Sequence, residues 1–472
     1  MHEGGNVVHF GCTFTKQRRE LRANMAATLV TRIRSENLPA TKGSAVTLPC
    51  LLSDGEREAE WERAINDPQS LIAIDLFCGA GGMSLGFEEA GFVVAAGLDA
   101  DELACQTHGA NLLSKSVHLD IGAVADPVAL MSRLGIPRVD VIVGGPPCQG
   151  FSVAGISKLR NLAAHDPEVK RELDQRNALY KEFVEFVRVL QPLIFVMENV
   201  PNLSYFGQGV IANEIKSDFA AVGYQVDDEI LNAAHFGVPQ VRRRLFFIGS
   251  RIGRIWRTPN PAYRDRPRTL CDAIGDLPAV SAPALEERVE YTTRDHTDYQ
   301  ALMRSTIRQE DRGGIYDHIV RPVRDDDVQI FAMMQQGQTY GDVPEELRRY
   351  RADSFKDKYY KLRWDSPGNT ITAHMAKDGY RYIHPEQLRT LSVREAARIQ
   401  SFPDSFRFAG SRSSRYRQIG NAVPPLLARA IGKTLARAIR RHRQIIAGDD
   451  MRVFEVSSER DELWQLGLPG FE

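Results

Sequence analysis

The sequence predicts an α/β protein, a doubly wound sheet with helices on both faces, accompanied by a smaller, irregular second domain. Three observations predict it. Short apolar runs alternate with helical stretches from about residue 70 to 250. These runs are apolar throughout rather than at every second residue, as strands covered on both faces must be. Three of them end in a chemical group: a glycine turn, a thiol and a carboxylate. Open α/β sheets bind their ligands at such strand ends.

Each element can be justified in order. Residues 1–69 are mixed in charge, show little periodicity and read as an extension with no assigned function; Met25 is a second candidate start. Residues 72–77 read as the first strand, Ile72-Ala73-Ile74-Asp75-Leu76-Phe77, running into Cys78-Gly79-Ala80-Gly81-Gly82. Glycine there permits positive φ and close backbone approach. Residues 83–90 read as a helix, and 92–98 as a second strand closing on Asp99-Ala100-Asp101. The strand 139–143 leads into Gly145-Pro146-Pro147-Cys148-Gln149-Gly150-Phe151-Ser152. After a helix at 179–190, the strand 193–197 ends in Glu198-Asn199-Val200. A strand at 244–249 follows Gln240-Val241-Arg242-Arg243-Arg244, where alternation sets Arg242 and Arg244 apart from Arg243. From 253 to 370 the rhythm breaks down, with Pro259, Pro261, Pro267, Pro278 and Pro283, dense arginine and interleaved aromatics. This stretch reads as a separate domain. Residues 371–447 return to the first domain through helices at 393–401 and 424–446, and 448–472 form a tail.

Bulk properties narrow the function. The chain has 472 residues and a net charge of -1, so any nucleic-acid contact must come from local basic clusters. No run approaches the roughly 18 apolar residues of a membrane span, and no membrane partner is expected. Six cysteines lie without metal spacing or paired clusters, as in a reducing compartment where a thiol stays free to react. Cys78 reads as a small buried hydrophobe.

Pro-Pro-Cys-Gln at 146–149, Glu-Asn-Val at 198–200, Gln-Val-Arg-Arg-Arg at 240–244 and Gln418-Ile419-Gly420-Asn421 follow the glycine turn in a fixed order. This series resembles that of the cytosine-5 DNA methyltransferases, and it runs from about residue 72 to 432. The resemblance implies a Rossmann-like catalytic and cofactor-binding domain at 70–252 and a target-recognition domain at 253–370. It implies S-adenosyl-L-methionine as cofactor. Phe77, Gly79 and Gly81 would form its cradle, Asp99 would accept its ribose hydroxyls, and Asp120 would lie near the adenine amino group. Asn421 and Val423 would close the methionine side.

The chemistry explains why these residue types recur. Carbon 5 of cytosine is a poor nucleophile. A thiolate that adds to carbon 6 makes carbon 5 enamine-like, ready to take a methyl group; loss of the carbon-5 proton and of the thiol restores the ring. Cysteine suits this role as nucleophile and leaving group, which falls to Cys148. The charge that builds on the ring is relieved at nitrogen 3 by an enclosed, protonated carboxylic acid, expected at Glu198. By resemblance Arg244 holds the cytosine carbonyl and Arg242 supports the site, whereas Arg243 reads as solvated.

A cytosine inside a duplex is out of reach, so the base must be flipped. Residues 151–176 resemble the loop that closes over it. Ser152 and Arg176 from that loop, with Gln240, are the expected DNA contacts. The partner expected is double-stranded DNA, with a cognate restriction endonuclease as a second member of the system. The protein is expected to be a bacterial, cytoplasmic monomer, associated with the nucleoid when bound to DNA. A tRNA-directed methyltransferase and a catalytically silent DNA-binding protein are the alternatives. Retention of Cys148, Glu198, Arg244 and Asn421 argues against the silent form.

Overall fold

The computed structural model describes residues 54–147, 179–205, 209–294, 297–306, 313–348 and 359–447. Alternate residues of a strand face opposite sides, and here both sides are covered. In β1 (Ile72–Leu76), Ile72, Ile74 and Leu76 join one buried cluster and Ala73 the other. In β4 (Val141–Gly144), Ile142 joins the first, and Val141 and Val143 the second. In β5 (Ile194–Asn199), Phe195 and Met197 oppose Ile194 and Val196 in the same way. Burial on both faces is the reason these strands carry no polar alternation.

The seven-stranded sheet is completed by β2 (Val93–Asp99), β3 (Lys115–His118), β6 (Gln225–Asn232) and β7 (Arg243–Ser250), in the order β3-β2-β1-β4-β5-β7-β6. The first five strands pair in parallel, whereas β7 lies antiparallel to both β5 and β6. Chain order reverses between β1 and β4, so a crevice opens beyond their C-terminal ends.

On one face pack α1 (Asp54–Asn66), α4 (Pro127–Leu134), α5 (Leu179–Leu190) and α6 (Val210–Ala221). Helix α5 presents Phe183, Phe186 and Val187 at the three- and four-residue spacing of a single buried stripe. On the other face lie α2 (Gly82–Glu89), α10 (Val393–Ile399) and α12 (Pro425–Ile446). Helices α2 and α12 touch backbone to backbone: a Cβ on Gly86 would stand 2.4 Å from the Pro425 carbonyl oxygen.

Three boundaries differ from those expected. Helix α1 belongs to the sheet domain: Trp61 is buried and its indole N–H donates to the Ala95 carbonyl at 2.9 Å. The domain therefore begins by residue 54 rather than 70. The stretch after 253 is not one separate unit. Leu270, Ala273 and Ile274 of α7 (Leu270–Ile274), with Tyr299 and Met303 of α8 (Asp298–Arg304), share a cluster with Val393, Ala396 and Ala397 of α10. A distinct small core appears only further on, around Ile330, Phe331, Met334, Tyr340 and Tyr359. It takes in Ile383, beyond the expected boundary at 370.

Buried ion pairs join these parts. From α10, Arg398 meets Asp276 and Asp404, and Arg394 meets Asp317 at 3.1 Å. Arg389 pairs with Glu395 at 2.7 Å. Desolvation offsets much of their attraction, so their effect is to tie α10 to the 270s and to Asp317 in one orientation.

Candidate active site

The crevice is built first by the turn after β1. Phe77 has φ 62°, Gly79 φ 54° and Gly81 φ 96°. A non-glycine residue in this left-handed region costs on the order of 1–3 kcal/mol, so Phe77 is held there by its surroundings. The Gly79 N–H donates to Asp99 Oδ2 at 2.8 Å, and the Asp101 N–H to Oδ1 at 2.8 Å. Two backbone donors thus orient the carboxylate at the end of β2, while burial raises its pKa. Asp120 follows β3 and caps the short 3₁₀ turn Ile121–Ala123 through the Gly122 N–H at 3.0 Å.

The far wall comes from the other end of the described chain. Asn421 ends α11 (Arg412–Asn421), and Val423 lies between that helix and α12. A Cβ on Gly82 would fall 2.3 Å from the Val423 carbonyl oxygen, so glycine at the start of α2 is what lets the two segments meet. Arg242 braces the junction. It is buried and donates to the carbonyls of Ile371 at 2.6 Å, Gly420 at 3.0 Å and Ala422 at 2.9 Å.

Phe77, Gly79, Asp99, Asp120, Asn421 and Val423 all line one cavity of about 870 Å³. Glu198, Arg242, Arg244 and Pro147 line the same cavity. Glu198 stands at the end of β5 and Arg244 at the start of the adjacent β7, with Arg244 Nε 2.8 Å from Glu198 Oε1. Glu198, expected as an enclosed acid, is in addition held by a cation. Gly145 leaves room for it, since a Cβ there would lie 2.9 Å from Glu198 Oε2.

Two expectations are corrected. Gly81 does not line the cavity; it serves the turn from behind, where a Cβ would meet the Leu112 Cδ1 at 2.6 Å. Gln240 is no surface contact for DNA. It is fully buried, donating to the Ile399 carbonyl at 3.2 Å and to Gln400 Oε1, and accepting from the Ile371 N–H at 2.8 Å. Its amide is used in joining β7 to α10. Cys148, Ser152 and Arg176 lie outside the described residues.

The cavity fits an adenosyl amino-acid cofactor. A Cβ on Gly79 would meet nothing within 4 Å, so the turn presents open space beside its backbone. Carboxylates at Asp99 and Asp120 offer acceptors for hydroxyl and amino groups, with Leu119 and Ile121 as apolar flanks.

The sequence matches the C-5 cytosine-specific DNA methylase family over residues 71–437. The chain belongs to this family. The methyltransferase is 37% identical over 367 residues to Type II methyltransferase M1.HphI of Haemophilus parahaemolyticus, covering 78% of this chain and 87% of that one. It is 34% identical over 441 residues to Type II methyltransferase M.AgeI of Thalassovita gelatinovora, covering 78% and 99%. A solved structure assigned as a DNA modification methyltransferase encoded within an E. coli prophage superposes with a TM-score of 0.63 at 27% identity, covering 79% of this chain and all of that one.

The methyltransferase cavity also holds residues that sequence reasoning did not place there. Thr372, His374, Arg381 and Tyr382 line it from the return segment, Arg417 from α11, and Asp75 from within β1. Asp75 was visible as the one acid in an apolar strand. The others sit in stretches of ordinary composition and carry no local signal.

Proposed function

We propose that the enzyme methylates carbon 5 of a cytosine within one short DNA sequence, through base flipping and a covalent Cys148 adduct at carbon 6. The observation that carries this reading is the placement of the Glu198–Arg244 pair and Pro147 on the same cavity as Gly79, Asp99 and Asn421. Cys148 follows Pro147 directly in the chain. S-adenosyl-L-methionine supplies an electrophilic methyl group when bound, and Phe77, Gly79, Asp99, Asp120, Asn421 and Val423 are the residues that would hold it.

The chain's own residues do the rest. The Cys148 thiolate adds to carbon 6 of the flipped base. Glu198 directs a hydrogen bond or proton to nitrogen 3, and Arg244 binds the ring carbonyl while keeping Glu198 in position. Arg242, bonded to three carbonyls, fixes Arg244's strand against the cofactor wall. Carbon 5, made nucleophilic by the adduct, would take the methyl group; loss of the carbon-5 proton then expels the thiolate and restores the ring. Ser152 and Arg176 would contact DNA, and the region after 253 would read the sequence.

The relatives are named as Type II methyltransferases, which supports a restriction-modification role with a cognate endonuclease. No helix among the described residues is long and apolar enough to cross a membrane. We place the enzyme in the bacterial cytoplasm, acting as a monomer. Bisulfite sequencing of DNA from an expressing host that lacks its own cytosine methylation tests the reading. Protection confined to one short motif supports it; an unmodified genome with soluble protein present refutes it.

A further inference from the structure

Asp75 lies in the middle of the sheet, is 1% exposed and lines the cofactor cavity. Its Oδ2 accepts the Ser84 hydroxyl at 2.6 Å. That hydroxyl also lies 3.1 Å from His108 Nε2. Ser84 thus joins the Asp75 carboxyl to the His108 ring. The other ring nitrogen, Nδ1, has no hydrogen-bond partner among the described residues. Burial holds the imidazole at about 4, so it stays neutral. The other titratable groups around Asp75 are Asp99 on β2 and Cys78 on the turn, and neither is a cation. Asp75 is therefore a buried carboxyl, tethered by Ser84, with no cation paired to it among the described residues, although Arg242, Arg244, Arg381 and Arg417 line the same cavity.

We propose that Asp75 supplies the counter-charge for the cofactor's sulfonium, so that the site prefers the charged methyl donor to its neutral thioether product. This rests on the reading of the cavity as the S-adenosyl-L-methionine site. Charges in a water-poor cavity interact strongly over several ångströms, and the two compounds differ there by a single positive charge. Burial, opposed by the Ser84 hydrogen bonds and aided by the Asp99 carboxylate, pushes Asp75 up to about 7. Arrival of the sulfonium then favours the carboxylate and drives a proton out, whereas the thioether leaves the carboxyl as it was.

Calorimetric titration of the full-length protein, in buffers of different ionisation enthalpy, counts the protons released on binding. S-adenosylmethionine and S-adenosylhomocysteine are the two probes. At pH 7 the donor is expected to release about half a proton more than the product. The ratio of donor to product affinity is expected to rise about tenfold from pH 6 to pH 8. Asp75→Asn is expected to abolish both differences. Ser84→Ala, which removes a hydrogen bond that favours the carboxylate, should shift the proton release to higher pH, and it carries the test if the first variant does not fold. Equal proton release by the two compounds overturns the proposal, as does a difference that survives in Asp75→Asn. Failure of either compound to bind removes the cofactor reading, and the proposal with it.

Discussion

Arg244 Nε stands 2.8 Å from Glu198 Oε1 across two antiparallel neighbours in the sheet. The carboxyl proposed to serve the cytosine ring is thus presented by one strand and steered by the next. Groups that act as a unit are non-additive. Glu198→Gln and Arg244→Ala should each slow methyl transfer by about 100-fold or more. The double variant should lose much less than the product of the two. Single-turnover transfer of a labelled methyl group reads all three rates, and multiplicative losses would mean the residues act independently.

Gly145 is small because Glu198 occupies the space beside it. A Cβ would intrude to 2.9 Å from Glu198 Oε2, while the backbone there needs no positive φ. Gly145→Ala should leave unfolding nearly unchanged and lower the transfer rate by about 100-fold, the usual cost of a misplaced catalytic group. A near-normal rate would show that the carboxylate can shift harmlessly.

Removing Arg242 would leave the carbonyls of Ile371 and Gly420 without its guanidinium in the interior, while Ala422 would keep its bond from Gln400. Arg242→Met should destabilise the protein by about 3 kcal/mol or more, measured by urea unfolding. Binding of the cofactor should weaken as well, since Asn421 and Val423 flank the same junction. A variant as stable as the parent would show that these carbonyls find other donors.

Asp75 gives a pH dependence opposite to that of an ion-paired carboxylate. Its pKa in the fold is about 7, against 3.8 for an ordinary aspartate. Below the lower value the group is protonated in both states and costs nothing. As pH rises toward 7 the unfolded chain sheds the proton first, so stability is progressively lost, and above 7 the loss is constant. Asp75→Asn mimics the protonated form. Ligand-free Asp75→Asn should therefore match the parent near pH 4 and exceed it by pH 8, by about 4 kcal/mol at most, at roughly 1.4 kcal/mol per pH unit. Denaturant titrations at the two pH values check this; a gap independent of pH would contradict it.

Cys148→Ala should abolish methyl transfer while leaving DNA binding within a few-fold, because the thiol makes a bond only in the reaction. Gel-shift affinity measured beside turnover separates the two. Residual turnover would take the nucleophile's role from Cys148.

Central strands are legible in sequence because both of their faces are dry. β1, β4 and β5 are continuous apolar runs, and each could be followed to the group at its end. β3 and β6 are the sheet's edges. Lys115-Ser116-Val117-His118 and the acidic run in Gln225–Asn232 are half exposed and look like loops. Helix α1 escaped notice because its buried apolar side chains are just Trp61 and Ile65, and its other ties, such as Arg57 to the Gly109 carbonyl, are polar. Gln240 was misread for a different reason: a polar residue beside three arginines looks like surface. What buries it is Ile371, Ile399 and Gln400, far along the chain. The edge of the second domain was obscured likewise, since Leu270 and Tyr299 complete a core begun elsewhere.

The wall formed by Asn421 and Val423 sets a timetable for the nascent chain. The sheet, the glycine turn and Glu198 leave the ribosome well before α11 and α12 are synthesised, and Gly82 and Gly86 must then wait for their backbone partners. Until those last helices dock, the half-made enzyme has strand ends without an enclosure. A ribosome stalled past residue 250 would hold a sheet with one face still bare of α10 and α12 and a crevice without its far wall, so the enclosure is completed only when the last helices are made.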